Sequence, residues 1–74
     1  MNTIKLSQNK IGKKIKNIRL ERELSLNSFA QILNVSLNTV IKWEKAKNLP
    51  SLMSLVKLCN TFDIKIDDFV LYQD

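Results

Sequence analysis

The chain has 74 residues with one glycine, one proline, one cysteine and no histidine, and its formal net charge is +5. This length allows one small domain with one core, which is marginally stable and often gains from a partner. A lone cysteine excludes an internal disulfide and fits a reducing cytoplasm, and without histidine there is no histidine-based metal site or general base. No apolar run approaches a membrane span and the start lacks the apolar region of a secretory signal, so we expect a cytoplasmic protein with no membrane partner.

The charge is distributed unevenly along the chain. Residues 1–24 carry a net charge of +5, residues 25–50 carry +2 and residues 51–74 carry −2. A basic front and an acidic end predict an oriented encounter with a polyanion. The alternative is a solvated lysine face on the first helix.

Helical periodicity dominates the sequence, and the scarcity of glycine and proline argues against a turn-rich β fold. We predict five helices, over residues 10–23, 26–33, 37–45, 51–61 and 66–71. Ile11, Ile15 and Ile18 form the apolar stripe of the first helix, and Ser25 and Ser36 are N-caps of the second and third. The predicted domain is 10–71, after a flexible N-terminal arm, 1–9, and before a C-terminal tail, 72–74.

The segment Leu26–Trp43 meets the physical requirements of two helices joined by a tight turn. Ala30 is a small residue where the helices would touch, and Asn34 tolerates the positive φ that the turn needs. Val35 and Val40 are apolar anchors for the core. The third helix mixes polar and apolar side chains on more than one face, whereas a helix that only packs into a core keeps one face polar. Its second face is therefore expected to contact something outside the core.

Three stretches of the chain carry a family resemblance: IKNIRLERELS, SLNSFAQILNVSLNTVIKWEKAKNLPSL and LVKLCNTFDIKIDDFV. Together, over about Ile11 to Val70, they resemble the lambda-repressor and Cro-type helix-turn-helix domains. The resemblance implies an all-α, compact five-helix domain in which helices 2 and 3 form a helix-turn-helix and helix 3 lies in the DNA major groove. It further implies a sequence-specific transcriptional regulator of double-stranded DNA, with repression as the expected effect.

Base contacts are expected from the third helix. Asn38 suits the N6 and N7 atoms of adenine, Leu37 suits a thymine methyl group, and Lys42, one turn after Asn38, reaches guanine or a phosphate. The alternative is that Asn38 and Lys42 are ordinary solvated residues. The expected contacts to the DNA backbone are Arg19, Ser25, Ser36, Thr39 and Lys47.

The resemblance also implies an ion pair, Arg19 with Glu44, that clamps helix 1 to helix 3. The alternative is two unrelated surface charges. The family often has glycine at the positions of Asn34 and Ala46. Because alanine is less comfortable than glycine in a left-handed helix cap, the turn at Ala46 is expected to be built differently.

Two protein surfaces are candidates for contacts with partners. An apolar patch on helices 2 and 3 supports an alternative function, a protein-interaction module on the same fold. Its residues are Leu26, Ile32, Leu37 and Ile41. A symmetric homodimer is expected because one helix covers too few base pairs for a unique site, and its candidate interface is Leu49, Leu71 and Tyr72.

The sequence indicates neither catalysis nor a cofactor. Asp63, Asp67 and Asp68 lack the spacing of a metal loop and are better explained as helix-capping residues. Cys59 is expected to be a small core residue rather than a reactive thiol. We therefore expect no catalytic residue, no metal and no cofactor. The expected partners are double-stranded DNA, a second copy of the chain and, in the alternative function, a protein.

Overall fold

The computed structural model describes residues 3–5, 7–69 and 71–73. Within this part of the chain there are four α-helices and one 3-10 helix, Ile66–Phe69. The α-helices are α1 (Gln8–Glu21), α2 (Leu26–Leu33), α3 (Leu37–Glu44) and α4 (Leu52–Phe62). Two three-residue strands, β1 (Thr3–Lys5) and β2 (Leu71–Gln73), pair antiparallel, with Ile4 opposite Tyr72.

The helical architecture is confirmed, but the fifth α-helix is not. The sequence predicts an α-helix over 66–71, whereas the structure has a single 3-10 turn at Ile66–Phe69 and a strand from Leu71. The acidic residues Asp67 and Asp68 suit a helix start, but six residues are too few to stabilise an α-helix and a 3-10 turn needs fewer. The two strands were not predicted because three residues are too short to show an alternating pattern.

Each α-helix is preceded by a serine that acts as its N-cap. Each N-cap hydroxyl accepts a hydrogen bond from the backbone N–H of the third helical residue, at 3.0 to 3.3 Å. The four caps are Ser7, Ser25, Ser36 and Ser51. These bonds satisfy N–H groups that have no partner inside the helix, so each helix start is set by local sequence. For α1 the cap puts the start at Gln8, two residues before the predicted position.

Each α-helix is also followed by a non-glycine residue in the left-handed conformation. These residues are Glu23, Asn34, Ala46 and Asp63, with φ between 54° and 60°. At each end the next backbone N–H donates to a carbonyl five residues earlier, as from Lys47 to Lys42 at 2.9 Å. The prediction of a different turn at Ala46 is therefore wrong. The helix-end hydrogen bonds hold alanine in a conformation that costs about 1–2 kcal/mol.

The core lies between the four α-helices and the 3-10 helix. Its buried apolar residues are Ile11, Ile15, Ile18, Phe29, Ala30, Leu33, Val40, Trp43, Leu58, Cys59 and Phe69. Phe62 stacks on Phe29 with ring centroids 5.4 Å apart, and the guanidinium of Arg22 lies 5.0 Å from the Phe62 ring. Arg22 also donates to the Phe62 carbonyl at 3.1 Å, so the ends of α1 and α4 are held together by both contacts.

Gly12 lies where α1 crosses the C-terminal end of α3. A Cβ atom at this position would lie 2.5 Å from the carbonyl oxygen of Trp43 and 3.3 Å from that of Glu44. Both oxygens belong to the backbone of α3, so they cannot move aside as a flexible side chain would. The absence of a side chain at Gly12 therefore sets how closely α1 and α3 pack.

Replacing Gly12 with alanine is expected to lower the free energy of unfolding, although alanine is the better helix former by about 1 kcal/mol. The added methyl group has to push α1 away from α3, and overpacking of this kind costs about 1–3 kcal/mol. Urea denaturation measures the difference. The matched control is Lys13→Ala at the next, exposed position, which should stay within about 0.5 kcal/mol of the original protein. A gain in stability for Gly12→Ala would contradict the close approach of the two helices.

Candidate nucleic-acid interface

One side of α3 faces solvent while the other packs into the core. The residues on the outer side recur at helical spacing (i, i+3, i+4, i+7) and are Asn38, Ile41, Lys42 and Lys45. We call them the α3 face. Asn38, Lys42 and Lys45 are exposed and Ile41 is half-buried, whereas Val40 and Trp43 on the inner side are buried. The mixed sequence pattern of this helix therefore reflects two separate surfaces.

The three residues predicted to contact bases lie at the surface of α3. Leu37, the first residue of the helix, is 39% exposed, and Asn38 and Lys42 are also exposed. Among the described residues, the side-chain amide of Asn38 and the ammonium of Lys42 have no hydrogen-bond partner. Both groups are therefore free to bind a ligand without breaking an internal bond.

Two of the predicted phosphate contacts lie together at the start of α3. The hydroxyl of Ser36 accepts from the backbone N–H of Thr39 at 3.1 Å, and the two hydroxyl oxygens lie 2.7 Å apart. One hydroxyl hydrogen makes the bond between them, so the other remains for an outside acceptor. Lys47 is exposed in the loop after α3.

Ser25 is used differently, at the start of α2. Its hydroxyl accepts from the backbone N–H of Ser28 at 3.0 Å and donates its hydrogen to the Ser28 hydroxyl, also at 3.0 Å. The hydroxyl hydrogen that remains at this helix start therefore belongs to Ser28. The sequence pattern of an N-cap does not reveal this, because it does not show how neighbouring hydroxyls share their hydrogens.

Arg19 and Glu44, which the family resemblance pairs, are in contact. The Arg19 Nε donates to Glu44 Oε2 at 2.8 Å and its Nη2 donates to Oε1 at 3.1 Å, while Nη1 donates to the Leu24 carbonyl at 3.0 Å. The side chains of the pair are only 11% and 8% exposed. The hydrogen bond to Glu44, against the opposing effect of burial, raises the pKa of Arg19 above its ordinary value. This two-point contact joins α1 to the end of α3 and to the loop before α2.

Sequence reasoning missed Lys16, three residues before Arg19, and Lys45, which follows Glu44. Both are exposed, and with Leu26 and Ile41 they line a cavity beside the α3 face. The seven-residue spacing from Asn38 to Lys45 corresponds to two helical turns, so the sequence alone could have placed Lys45 on the same helix face as Asn38. No such signal exists for Lys16, because its position depends on how α1 crosses α3.

The apolar patch predicted on helices 2 and 3 is divided in the structure. Leu26 and Ile41 are half-buried and line the same cavity, and neither Ile32 nor Leu37 is among the residues around it. Ile32 is 43% exposed and Leu37 is 39% exposed. Single exposed apolar side chains are normal on a protein surface, so these two need no partner to explain them.

The predicted dimer residues are described only in part. Leu49 is 40% exposed in the loop before α4. The backbones of Leu71 and Tyr72 form β2, opposite Lys5 and Ile4 of β1. Their side chains lie outside the described part of the structure.

Cys59 is buried, as predicted. Burial, and to a lesser degree the negative charge of Asp68, raises the pKa of its thiol, so the protonated form persists at neutral pH. The described residues include no group of three or more histidine, cysteine, aspartate or glutamate side chains placed to hold a metal ion. None of the helices in the described ranges is long and apolar enough to cross a membrane.

Two short helices joined through a left-handed Asn34, with the second helix open to solvent on one side, define a helix-turn-helix protein. The model of the helix-turn-helix family HTH_3, the lambda-repressor and Cro type, matches residues 15–69. The chain belongs to this family.

Two relatives are named as uncharacterized HTH-type transcriptional regulators. One, from Methanocaldococcus jannaschii, is 38% identical over 61 residues, which are 82% of this chain and 92% of that protein. The other, from Rickettsia conorii, is 39% identical over 59 residues, which are 80% of this chain and 47% of that protein. The chain thus spans nearly all of the first relative and about half of the second.

Two solved structures share the fold. The restriction-modification controller protein C.AhdI from Aeromonas hydrophila superposes with a TM-score of 0.75 at 22% identity, over 84% of this chain and 94% of that one. An HTH_3 family transcriptional regulator from Vibrio cholerae gives a TM-score of 0.74 at 27% identity, over 84% of this chain and 35% of that one. The first likeness concerns the fold alone.

We expect the Arg19–Glu44 contact to appear as a coupling energy in a double-mutant cycle. Arg19→Ala leaves the shielded Glu44 carboxylate without its partner, which should lower the free energy of unfolding by about 3 kcal/mol. Adding Glu44→Ala removes that unpaired charge, so the double variant should lose less than the sum of the two single losses, by about 0.5–3 kcal/mol. Urea denaturation of the four proteins measures this.

The matched control for this cycle is the exposed pair Arg22 and Glu21, whose charged atoms are 3.9 Å apart. Its coupling energy should be near zero, since exposed ion pairs contribute little. If the losses at Arg19 and Glu44 simply add, the contact does not stabilise the folded chain.

Proposed function

We propose that this chain, a DNA-binding transcriptional regulator of the helix-turn-helix family, reads a specific double-stranded site by placing α3 in the major groove. The α3 face is the observation that carries the proposal. It presents the unpaired amide of Asn38 and the ammonium groups of Lys42 and Lys45, while Val40 and Trp43 hold the opposite side in the core. A helix held in this way offers polar groups at fixed positions to base edges.

Each residue has a distinct role in the proposed complex. Asn38 pairs with adenine through both side-chain polar atoms, Leu37 contacts a thymine methyl group, and Lys42 reaches guanine or a phosphate. The remaining contacts go to the DNA backbone and involve Arg19, Ser25, Ser36, Thr39 and Lys47. One hydroxyl hydrogen of the Ser36–Thr39 pair is not used inside the protein, and it supports the assignment of these two residues to the DNA backbone.

Arg19 and Ser25 have fewer groups left for contacts to the DNA backbone. Three of the five N–H groups of the Arg19 guanidinium are used inside the protein, so two remain for a phosphate. Ser25 acts indirectly, by ordering the backbone N–H groups at the start of α2. The neighbouring Ser28 hydroxyl keeps its own hydrogen, which is the one left for a phosphate.

We infer repression as the regulatory effect, with no catalytic step and no cofactor. A protein bound at a site that overlaps a promoter prevents transcription by occupying it, and it needs no further contact to do so. Binding and release are then the whole activity, and both depend on the surfaces described above.

The salt dependence of binding tests the DNA contact. We expect the logarithm of the association constant to fall linearly with the logarithm of salt concentration, by about 0.9 per phosphate neutralised. Lys42→Ala should flatten this slope by about one unit if Lys42 contacts a phosphate. Fluorescence anisotropy on a duplex selected from a random library gives the slopes.

The matched control is Lys57→Ala, which removes an exposed lysine from α4 and should leave the slope unchanged. A slope near zero for the unaltered protein would contradict DNA binding. No binding at low salt, on any duplex, would favour the alternative function as a protein-interaction module.

Asn38→Ala tests base recognition. The loss should be about 1–3 kcal/mol on the selected site and much smaller on random DNA, because only the selected site offers the matching base. Circular dichroism should not change, since the Asn38 side chain is exposed. Asn60→Ala, an exposed asparagine of α4, is the control and should affect neither duplex. An equal loss on both duplexes would assign Asn38 to the DNA backbone instead.

We further propose that two copies bind a symmetric site. One recognition helix covers only a few base pairs, and two-fold symmetry places two such helices about one DNA turn, roughly 34 Å, apart. An apolar strip that includes Leu49 and continues along α4 supports this proposal. Its residues are Leu49, Leu52, Met53 and Val56, which are 40%, 72%, 82% and 42% exposed. We call it the α4 strip.

Leu52, Met53 and Val56 have the spacing of one helix face, since they recur at i, i+1 and i+4 of α4, and Leu49 lies in the loop before this helix. Leu58 and Cys59 of α4 are buried in the core, and the strip lies next to them, so the apolar surface of this helix is wider than the part that the core covers. A core-packing helix needs only one apolar side, and a contiguous exposed strip marks an interaction site. Leu71 and Tyr72 remain candidates from the sequence for the same interface.

Substituting glutamate for both Leu52 and Met53 should abolish the dimer, because the two-fold axis would bring four carboxylates into an apolar contact. Sedimentation equilibrium, with and without a palindromic duplex, measures the change. Leu20→Glu, at an apolar residue of α1 that is 51% exposed, is the matched control and should leave association intact. An unaltered protein that stays monomeric at high concentration and binds DNA as one copy excludes the dimer. A dimer that survives both substitutions places the interface elsewhere, and Leu71→Glu with Tyr72→Glu then tests the C-terminal residues.

A further inference from the structure

A cavity of about 310 Å³ opens beside the α3 face. It lies between α1, α2 and α3, and its walls are Lys16, Arg19, Leu26, Ile41, Glu44 and Lys45. This volume is at the lower end of the range typical of small-molecule sites, roughly 300–1,000 Å³. We call it the α1–α3 cavity.

The lining of the α1–α3 cavity has an apolar part and a positively charged part. Leu26 and Ile41 are half-buried and supply apolar surface. Arg19 and Glu44 neutralise each other through their two hydrogen bonds. Lys16 and Lys45 are exposed, and neither forms an ion pair within the described part of the chain. The cavity therefore carries a net charge of +2, contributed by its two lysines.

We propose that the α1–α3 cavity binds a small organic carboxylate with an apolar body, and that this ligand releases the protein from DNA. The second half of the proposal rests on the proposed function. The two ammonium groups attract the carboxylate, and the apolar body is removed from water between Leu26 and Ile41. A fully hydrated inorganic anion gains nothing from the two apolar side chains, and a cation is repelled by the lysines.

The expected effect on DNA binding follows from side chains that belong to both surfaces. Ile41 and Lys45 line the α1–α3 cavity and are also part of the α3 face. A ligand that holds these side chains in the cavity competes with DNA for them. By linkage, DNA must weaken ligand binding by the same factor as the ligand weakens DNA binding.

Ligand binding is tested first without DNA, with 4-phenylbutyrate as the probe. In a titration of the ¹⁵N-labelled protein, the amide signals of Lys16, Leu26, Ile41 and Lys45 should shift in a saturable manner. The neutral counterpart, 4-phenylbutanol, should bind about tenfold more weakly, because it lacks the charge that the lysines attract. No saturable shift up to the solubility limit, equal binding of the alcohol, or shifts confined to the α4 strip would each overturn the proposal.

Variants then test the role of the two lysines. Lys16→Ala with Lys45→Ala should weaken 4-phenylbutyrate binding by about tenfold or more. The matched control is Lys10→Ala with Lys14→Ala, which removes the same charge from lysines that line a different cavity, next to Phe69. Equal weakening by both double variants would show a general charge effect and overturn the assignment to the α1–α3 cavity.

The release of DNA is tested on the duplex selected from the random library. Saturating 4-phenylbutyrate should weaken DNA binding by about tenfold, within the range of roughly 5- to 150-fold that is typical of coupling between sites. Sodium chloride at equal ionic strength is the control, because DNA binding itself depends on salt. At a fixed concentration below saturation, Lys16→Ala should reduce the effect of the ligand, since Lys16 lines the cavity but is not part of the α3 face.

The two proposals fail in different ways. If the protein binds the probe in the cavity but binds no DNA, the proposed function is wrong and the ligand site stands. If it binds DNA and the probe together with unchanged affinities, the ligand site stands and its regulatory role is overturned. If it binds DNA and shows no cavity shifts, the ligand site itself is wrong.

Discussion

The contact between α1 and the end of α3 is the constraint on which the rest of this structure depends. Gly12 lets the two helix backbones approach, and the Arg19–Glu44 pair holds them at a fixed rotation a little further along α1. The ion pair is shielded from solvent, so it contributes geometry more surely than stability. Because α3 is only eight residues long, a helix that is marginal by itself is oriented by this contact.

That orientation explains why α3 has two surfaces with different chemistry. Val40 and Trp43 face the core, so Asn38 and Lys42 must face solvent. The same contact forms one side of the α1–α3 cavity, since Lys16 of α1 and Lys45 after α3 both line it. The proposed DNA contact and the proposed ligand site are thus two consequences of one helix crossing.

The exposed apolar surface follows from the small size of the domain. A chain of 74 residues has too little interior to bury all its apolar side chains, and some of them become available for partners. Leu52 and Met53 of the α4 strip are the most exposed large apolar residues among those whose side chains the structure describes. They lie on α4, a different helix from the proposed recognition helix α3, so the proposed association with a second copy would not compete with DNA for the same residues.

The sequence by itself determined the features that depend on neighbouring residues. The bounds of α2, the caps Ser25 and Ser36, and the left-handed Asn34 were all predictable, because a helix start or end is decided within one turn. The pairing of Arg19 with Glu44 came from a family resemblance, since 25 residues separate them.

Tertiary structure decided the features in which segments distant in sequence meet. The need for Gly12 depends on the α3 carbonyl groups, and the α1–α3 cavity depends on three helices together. Ala46 is a local exception, because the helix-end hydrogen bond from Lys47 to Lys42 overcame its preference against positive φ. Local patterns reflect bonds within a few residues, whereas the distance between two helices depends on packing that no single segment contains.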